Sequence, residues 1–153
     1  MASQSTFADT IQIRSATPAD EAVVYDFLCD LEQTKLDTTA FQTVYQQNLS
    51  NPFIYYLVAE SRDEVIGFVS CHVQYLLHHS GKVGEIQELY VRPDVRNQHI
   101  GQKLVAELGA LAIQENFVNL EVTTNQKRLD TVRFYERESF QKTHVKLVKP
   151  IQI

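Results

Sequence analysis

The residues with the clearest potential for chemistry lie between Gly84 and Leu104, in the segment GEIQELYVRPDVRNQHIGQKL. This segment is typical of a strand, a proline-containing turn and the start of a helix. Backbone N–H groups at a helix start have no intrahelical acceptor, and together with the helix dipole they form a site for phosphate or pyrophosphate. Arg96 adds positive charge there, and Gly101 allows close packing against the strand or a ligand. The pattern favours an anion-binding loop, although an ordinary strand-to-helix connection has the same spacing.

A second group of polar residues precedes this segment. In an extended chain His72, Gln74 and His78 have the same parity and point to one face, while His79 points to the other. With Glu85 across a hairpin, His72 and His78 could form a His/carboxylate site for a divalent metal. Adjacent histidines near a turn are also common on solvated surfaces, and the chain has no tight ligand spacing. Both interpretations of these histidines stay open at this point.

The two cysteines indicate packing rather than catalysis. Cys29 lies on an apolar helical stripe and Cys71 lies inside a strand pattern, so both are predicted to be core thiols. Two cysteines are too few for a disulfide framework and favour a reducing compartment. No apolar run approaches the ~20 residues that span a bilayer, and the first ten residues lack the regions of a signal peptide. We therefore expect a cytoplasmic protein without a membrane partner.

Strands and helices must position these residues, and the hydrophobic periodicity predicts their order. Thr17-Pro18-Ala19-Asp20 has the residue types that begin a helix, and Asn51-Pro52 those that end one. Ser61–Glu64 is typical of a hairpin turn. The predicted elements are a strand at 11–14, helices beginning at Thr17 and near Phe41, strands at 53–60, 65–77 and 83–91, a helix over about 97–116, a strand at 117–124, a helix at 129–138 and a closing strand at 140–148.

This β-α-α-β-β-β-α-β-α-β order predicts an α+β fold, in which helices flank one mixed central sheet. A chain of 153 residues fits one domain, which we expect over residues 11–153 after a flexible N-terminus at 1–10. Hydrophobic residues make up 44% of the chain and charged residues 22%, which argues against disorder.

The charge is distributed unevenly along the chain. The net charge of −5 argues against a general nucleic-acid binder. Up to Val91 the chain has four basic and twelve acidic residues, whereas from Arg92 onward it has ten basic and seven acidic ones. Such a division is typical of a site whose two halves face ligands of opposite sign, but surface charge distributed by chance gives it as well.

The anion-binding segment resembles motif A of the GNAT family of N-acetyltransferases, in which R-G-x-G-x-G follows the fourth strand and holds the pyrophosphate of coenzyme A. The predicted order of elements matches that fold, and the segment RFYERESF at 133–140 is similar to the family's FYE-x-x-G-F. The resemblance extends from Ile11 to Val148. Asn97, His99 and Ser139 stand where the family usually has glycines, and a side chain at position 99 narrows the approach to the pyrophosphate.

This resemblance implies an acetyl-CoA-dependent N-acetyltransferase domain and assigns its cofactor contacts. Backbone N–H groups around Leu89 to Val91 would hold the acetyl carbonyl, and Asn125 would contact the pantetheine arm. Tyr135 would protonate the departing thiolate, while the alternatives are a packed tyrosine ring and, for Asn125, a helix cap. The implied cofactor-binding residues are Leu89, Tyr90, Val91, Arg96, Asn97, Gln98, His99, Ile100, Gly101 and Asn125.

Acetyl transfer to an amine also needs a base, because only the neutral amine attacks a thioester. Glu85 and Glu88 lie on the strand that leads to the cofactor loop, and we expect Glu85 to be the base, with Glu88 as the second candidate. An unbroken strand points them to opposite faces, whereas a bulge, common in this strand of the family, changes that. Either carboxylate could instead be solvent-facing or salt-bridged.

Further segments, at 72–79, 84–89 and 123–128 together with 133–135, are similar to the aminoalkylphosphonate N-acetyltransferases within the family. This implies a small aminophosphonate as acceptor and a divalent metal, and the family also implies a homodimer. Other acceptors stay open, among them polyamines, aminoglycosides, amino acids and peptides. A non-catalytic acyl-CoA-binding regulatory module is the alternative from another class, and Asn97 and His99 are its best support.

Overall fold

A five-stranded mixed sheet, in the order β1-β2-β3-β4-β5, forms the centre of the computed structural model, which describes residues 10–152. The first four strands pair antiparallel with their neighbours, and β5 pairs parallel with β4. The strands are β1 (Gln12–Ser15), β2 (Ile54–Ser61), β3 (Glu64–Leu76), β4 (Gly81–Val91) and β5 (Asn119–Val122). The helices are α1 (Glu21–Glu32), α2 (Thr38–Leu49), α3 (Ile100–Gln114) and α4 (Leu129–Arg137). The predicted class, a mixed sheet flanked by helices, is confirmed.

Helices cover both faces of this sheet because alternate residues of each strand point to opposite sides. Leu57 of β2 belongs to a core cluster with α3 and α4, whereas the next residue, Val58, belongs to a second cluster with α1 and α2. Leu104 and Leu108 of α3 are almost completely buried in the first cluster. The strand region at 83–91 is thus held between two helical layers.

The closing strand predicted at 140–148 is wrong for the chain as described. Phe140 packs on Tyr135 with 5.3 Å between ring centroids, but residues 141–152 form neither a strand nor a helix and are exposed. The β-branched and apolar residues of this segment predict a strand, yet a strand also needs a neighbour for its backbone groups. No described strand pairs with this segment.

The bounds of two further elements differ from the predicted ones. The third helix begins at Ile100 rather than near Asn97, because Asn97 and His99 have left-handed backbone conformations that a helix excludes. The fifth strand is shortened to Asn119–Val122. The flexible N-terminus predicted at 1–10 lies, apart from Thr10, outside the described residues. None of the helices within residues 10–152 is long and apolar enough to cross a membrane.

Candidate active site

The sheet opens between β4 and β5. Their pairing ends at Ile86 and Val122, although β4 continues to Val91 along β3. Arg92 N–H donates to the Ile66 carbonyl at 2.9 Å, towards β3. Because N–H directions alternate along a strand, those of Leu89 and Val91 point to the open edge and that of Tyr90 points to β3. Two of the three N–H groups that are predicted to hold the acetyl carbonyl therefore face the gap between β4 and β5.

A β-bulge lies in β4 just where β5 diverges. Ser70 of β3 is opposite Glu88, and the next residue, Cys71, is opposite Ile86, so Gln87 has no counterpart on β3. Cys71 is fully buried, and burial raises the pKa of its thiol to about 12. This agrees with the predicted core role for Cys71.

The bulge brings the two candidate carboxylates to one face. Ile86 and Leu89 both pack into the cluster on the α3 side, although they are three positions apart and an unbroken strand would point them to opposite faces. Glu85 precedes Ile86 and Glu88 precedes Leu89, so both carboxylates point to the opposite face, which α1 and α2 cover. Tyr90 lies in the cluster on that face.

Each carboxylate has a defined local partner. The Ser70 hydroxyl donates to the Glu88 carboxylate and also accepts the Glu88 N–H at 3.0 Å. The Glu85 carboxylate accepts a hydrogen bond from the Gln87 side chain at 2.6 Å, and Glu85 lies opposite His72 of β3. Glu88 is thus held at the opening of the sheet, and Glu85 where β4 and β5 are still paired.

The loop before α3 keeps a glycine-like backbone without glycines. The φ angles of Asn97 and His99 are 68° and 63°, a region in which asparagine and histidine are enriched among non-glycine residues. The first helical bond runs from Lys103 N–H to His99 O at 3.0 Å, so the preceding N–H groups have no helical acceptor. The His99 ring is hydrogen-bonded to the Gln102 side chain, with 3.1 Å between His99 Nδ1 and Gln102 Oε1. These features fit a phosphate-binding loop.

Arg96 is fixed at the edge of this loop. Its Nε donates to the Val91 carbonyl at 2.9 Å, and its guanidinium lies 5.5 Å from the centre of the Tyr90 ring. Tyr90 stacks on Phe27 of α1, and its hydroxyl donates to Asp30. Burial, reinforced by Asp30, raises the pKa of Tyr90 to about 12. The first helix therefore supports the loop through one tyrosine.

The remaining loop residues face inward. Ile100 is almost fully buried in the core, and a Cβ at Gly101 would lie 3.5 Å from Phe134, in ordinary contact. The side-chain oxygen of Gln98 is buried and has no partner in the described part of the chain. A buried acceptor without a donor in the protein is suited to a donor from a ligand.

Tyr135 lies on α4, buried between Phe134 and Phe140. Burial raises the pKa of its hydroxyl to about 12, so the group keeps its proton at neutral pH. Asn125 is exposed, and its side-chain oxygen accepts the Lys127 N–H at 2.9 Å. It shapes the turn before α4, but the N-cap of α4 is Arg128, so Asn125 is not the helix cap of the alternative interpretation.

The two histidines do not form the predicted metal site. His78 lies in a 3-10 turn, Leu77–His79, that takes it out of the strand, so its predicted parity with His72 is wrong. Within residues 10–152, no group of three or more His, Cys, Asp or Glu side chains could hold a metal ion. His72 and His78 therefore do not fit the divalent metal that the resemblance implies.

The sequence profile of the Acetyltransferase (GNAT) family matches residues 21–140. The chain belongs to the GNAT family. It is also 39% identical, over 140 residues, to an aminoalkylphosphonate N-acetyltransferase of Salmonella typhimurium, which covers 92% of this chain and 91% of that relative. This GNAT protein is therefore an acetyl-CoA-dependent N-acetyltransferase.

Solved structures agree with this fold. A transcriptional regulator from Bacillus halodurans has a TM-score of 0.86 at 21% identity, covering 92% of this chain and 99% of its own. An aminoglycoside N-acetyltransferase in complex with CoA has a TM-score of 0.83 at 13% identity, covering 94% and 95%. At these identities the likeness concerns the fold alone.

Sequence reasoning missed Ser70 and the support from α1. Ser70 is the polar residue within the apolar run GFVSCHV, and its buried position is the signal that could have drawn attention to it. The contact of Asp30 with Tyr90 joins residues sixty positions apart and has no local signal.

Proposed function

We propose that this GNAT protein transfers the acetyl group of acetyl-CoA directly to the primary amine of a small molecule, with Glu88 as base and Tyr135 as acid. The observation that carries the proposal is the bulge in β4. It gives Glu88 and Glu85 a common face at the point where β5 diverges, beside N–H groups directed into the gap.

The loop at 96–101 would bind the pyrophosphate through its N–H groups and Arg96, and acetyl-CoA supplies the thioester when bound. The N–H groups of Leu89 and Val91 are suited to the negative charge that develops on the acetyl oxygen. Glu88, directly or through water, takes a proton from the ammonium form of the substrate, and the neutral amine attacks. Tyr135 then gives its proton to the departing thiolate.

Glu88 takes the place of Glu85 as the first candidate for the base. Glu85 lies three residues further back, roughly 10 Å along the strand, where β4 and β5 are still joined. Glu88 lies next to Leu89, whose N–H faces the gap. We assign Glu85 to attraction of the cationic amine on the same face.

For the acceptor we propose an aminoalkylphosphonate, because the Salmonella typhimurium relative is named for that substrate class. Lys127, Arg128 and Arg133 line an open depression at the start of α4, which offers positive charge to an anionic group. A second candidate is another small amine without an anionic group, favoured by the two carboxylates on one face. No metal enters this mechanism, and the homodimer and the cytoplasmic location stay predictions.

The proposed chemistry is tested by coenzyme A release with aminophosphonates, polyamines, aminoglycosides and amino acids as acceptors. We expect the highest kcat/KM for a small aminophosphonate. Folded protein that binds coenzyme A in calorimetry but acetylates no amine would contradict the proposal.

The Glu88 assignment has its own test. Glu88→Gln should lower kcat by about 10²–10⁴-fold, the usual contribution of a general base, with little change in KM for acetyl-CoA. Glu85→Gln should mainly raise KM for the amine. Glu107→Gln, which removes an exposed carboxylate from α3, serves as the matched control and should leave both parameters unchanged. If Glu85→Gln lowers kcat more than Glu88→Gln does, Glu85 is the base and the assignment of Glu88 is wrong.

A further inference from the structure

His99 carries an imidazole ring at a point of the loop where members of the family usually have glycine. It is the N-cap residue of α3, its φ is 63°, and its side chain is exposed. The loop thus keeps the left-handed backbone that glycine would provide, and it adds a titratable group. The ring is bonded to Gln102 in the first turn of α3, so it stays at the helix end whose N–H groups have no helical acceptor.

The bond to Gln102 determines which ring nitrogen carries the proton when His99 is neutral. Nδ1 lies 3.1 Å from Oε1 of Gln102. An amide oxygen can only accept, so Nδ1 donates, and Nε2 of the neutral ring has a lone pair instead of a proton. Protonation places an N–H on Nε2 as well. A phosphate oxygen is repelled by the first form of Nε2 and accepts a charge-assisted hydrogen bond from the second.

We propose that protonated His99 is a second cation of the cofactor loop, beside Arg96, and that acetyl-CoA therefore binds more tightly at pH 6 than at pH 8. The inference rests on the proposed function, because it takes the pyrophosphate of acetyl-CoA as the ligand of the loop. That pyrophosphate is a diester with two negative charges. Arg96 supplies one positive charge at the edge of the loop, and His99 supplies another only when it is protonated.

No residue type around the loop, apart from histidine, has an ordinary pKa between pH 6 and pH 8. His99 is the only histidine between residues 80 and 143. Burial raises the pKa values of Tyr90 and Tyr135 to about 12. The charged residues of the loop, of the first turn of α3 and of α4, whose Phe134 lies against Gly101, are Arg92, Asp94, Arg96, Lys103, Asp130, Arg133, Glu136 and Arg137. A change in cofactor affinity over this pH range therefore reports on His99.

The first test measures affinity with a probe that does not titrate itself. The 3′-phosphate of CoA is a monoester whose second pKa is about 6, so dephospho-CoA, which keeps only the pyrophosphate, is the suitable probe. We expect its Kd for the wild-type chain, measured by calorimetry, to rise about fivefold from pH 6 to pH 8.

Two substitutions at position 99 should remove this pH dependence. Asparagine and glycine both accept the left-handed backbone and do not titrate, so His99→Asn and His99→Gly should each give the same Kd at pH 6 and pH 8. His144→Asn removes an exposed histidine outside the loop and is the matched control. It should keep the fivefold change of the wild-type chain.

Proton uptake distinguishes the charge of His99 from its packing. If the bound pyrophosphate favours the protonated ring, binding at pH 7 should take up about half a proton per dephospho-CoA. The uptake is obtained from the binding enthalpies in two buffers that differ in their heat of ionisation. It should disappear in His99→Asn and persist in His144→Asn, whereas a ring that acts only through its volume would cause no uptake in any of these chains.

The outcomes separate this inference from the proposed function. An equal Kd at pH 6 and pH 8 for the wild-type chain, or an unchanged pH dependence in His99→Asn, would overturn the role of His99 and leave the cofactor loop in place. If the folded wild-type chain binds dephospho-CoA and CoA at neither pH, the cofactor loop itself is wrong, and the role of His99 is wrong with it.

Discussion

Glu88 owes its direction to the bulge in β4. If Gln87 were paired in an unbroken strand, Glu88 would point to the α3 face, into the apolar cluster that Leu89 now contacts. The sequence identifies both candidate carboxylates and their strand, because residue type and local period are visible in one segment. The bulge depends on how β3 and β4 pair, and no pattern within β4 alone predicts it. The common face of the carboxylates therefore comes from tertiary structure.

The proposed acid role of Tyr135 can be tested by Tyr135→Phe, which removes only the hydroxyl oxygen. Because its hydroxyl has no hydrogen-bond partner in the described part of the chain, Tyr135→Phe should change the free energy of unfolding by less than about 0.5 kcal/mol. As an acid for the thiolate, it should lower kcat about 10- to 100-fold, with KM for acetyl-CoA unchanged. Tyr75→Phe, at an exposed tyrosine of β3, is the control in the same coenzyme A release assay. An unchanged kcat would leave Tyr135 with a packing role only.

Ser70 makes a different kind of contribution, because it holds Glu88 through two hydrogen bonds. Ser70→Ala leaves a backbone N–H and a carboxylate without this partner, so we expect a loss of about 1–2 kcal/mol in stability and about tenfold in kcat. Ser61→Ala removes another buried hydroxyl, one bonded to Thr10 at 2.6 Å, and should lower stability without affecting kcat. Both kcat values are measured at saturating acetyl-CoA. If they are equal, Ser70 has no part in positioning Glu88 for the reaction.

Among the elements, α4 shows why the family motif at 133–140 has its form. Ser139 has a φ of 72°, its N–H donates to Glu136 O at 3.1 Å, and Phe140 N–H donates to Tyr135 O at 3.0 Å. These are the two bonds of a Schellman motif, in which glycine is the usual residue at the left-handed position. The motif places Phe140 on Tyr135. The family glycine is therefore a helix terminator that also positions the candidate acid.

This geometry makes a stability prediction. Ser139→Gly removes the strain of a left-handed serine, about 1–2 kcal/mol, but adds freedom to the unfolded chain, so the net gain should be about 0.5–1 kcal/mol. Ser50→Gly is the contrasting variant, because Ser50 ends α2 with a φ of −93° and gains nothing from glycine. Urea unfolding of the two variants should move in opposite directions, and a destabilised Ser139→Gly chain would refute the strain argument.

The elements differ in how far sequence predicts them. Helices α1 and α2 and the hairpin at Ser61–Glu64 follow from local caps, periodicity and turn residues. The helix α3 starts at Ile100, later than the sequence predicts, since nothing local distinguishes Asn97 from a helical residue. The closing strand failed for another reason. Its alternation is visible in the sequence, but whether a partner strand exists depends on the rest of the molecule.

At the scale of the molecule, the charge division follows the architecture. The acidic part, up to Val91, builds β1 to β4 with α1 and α2, and it carries Glu85 and Glu88. The basic part builds the loop, α3, β5 and α4. The boundary thus coincides with the end of β4, where the proposed phosphate and amine sites meet. An amine acceptor suits the acidic face, and an anionic group of the acceptor would need the basic residues at the start of α4.

One ion-pair network joins β1, β2 and the turn before α1, and it makes the stability of the whole chain sensitive to acid. Arg14 of β1 contacts Asp20 at 2.8 Å and Glu60 of β2 at 2.7 Å, and Asp20 also accepts the Thr17 N–H across the turn before α1. Hydrogen bonds from Arg14 lower the pKa of Asp20 below its ordinary value of 3.8. Ionised Asp20 therefore stabilises the fold above that ordinary value, and this contribution is lost as the pH falls through the lowered pKa.

We expect Asp20→Asn to lower the free energy of unfolding by about 1–3 kcal/mol at pH 7, since it removes charge-assisted hydrogen bonds to a buried group. The difference from the wild-type chain should shrink below about pH 4, because protonation of Asp20 then weakens the same contacts in the wild type. Urea unfolding at pH 7, 4 and 3 measures this. Asp26→Asn, at an exposed carboxylate of α1, should give a small difference at every pH. A deficit for Asp20→Asn that stays constant from pH 7 to pH 3 would mean that packing, rather than the charge of Asp20, joins β1 to α1.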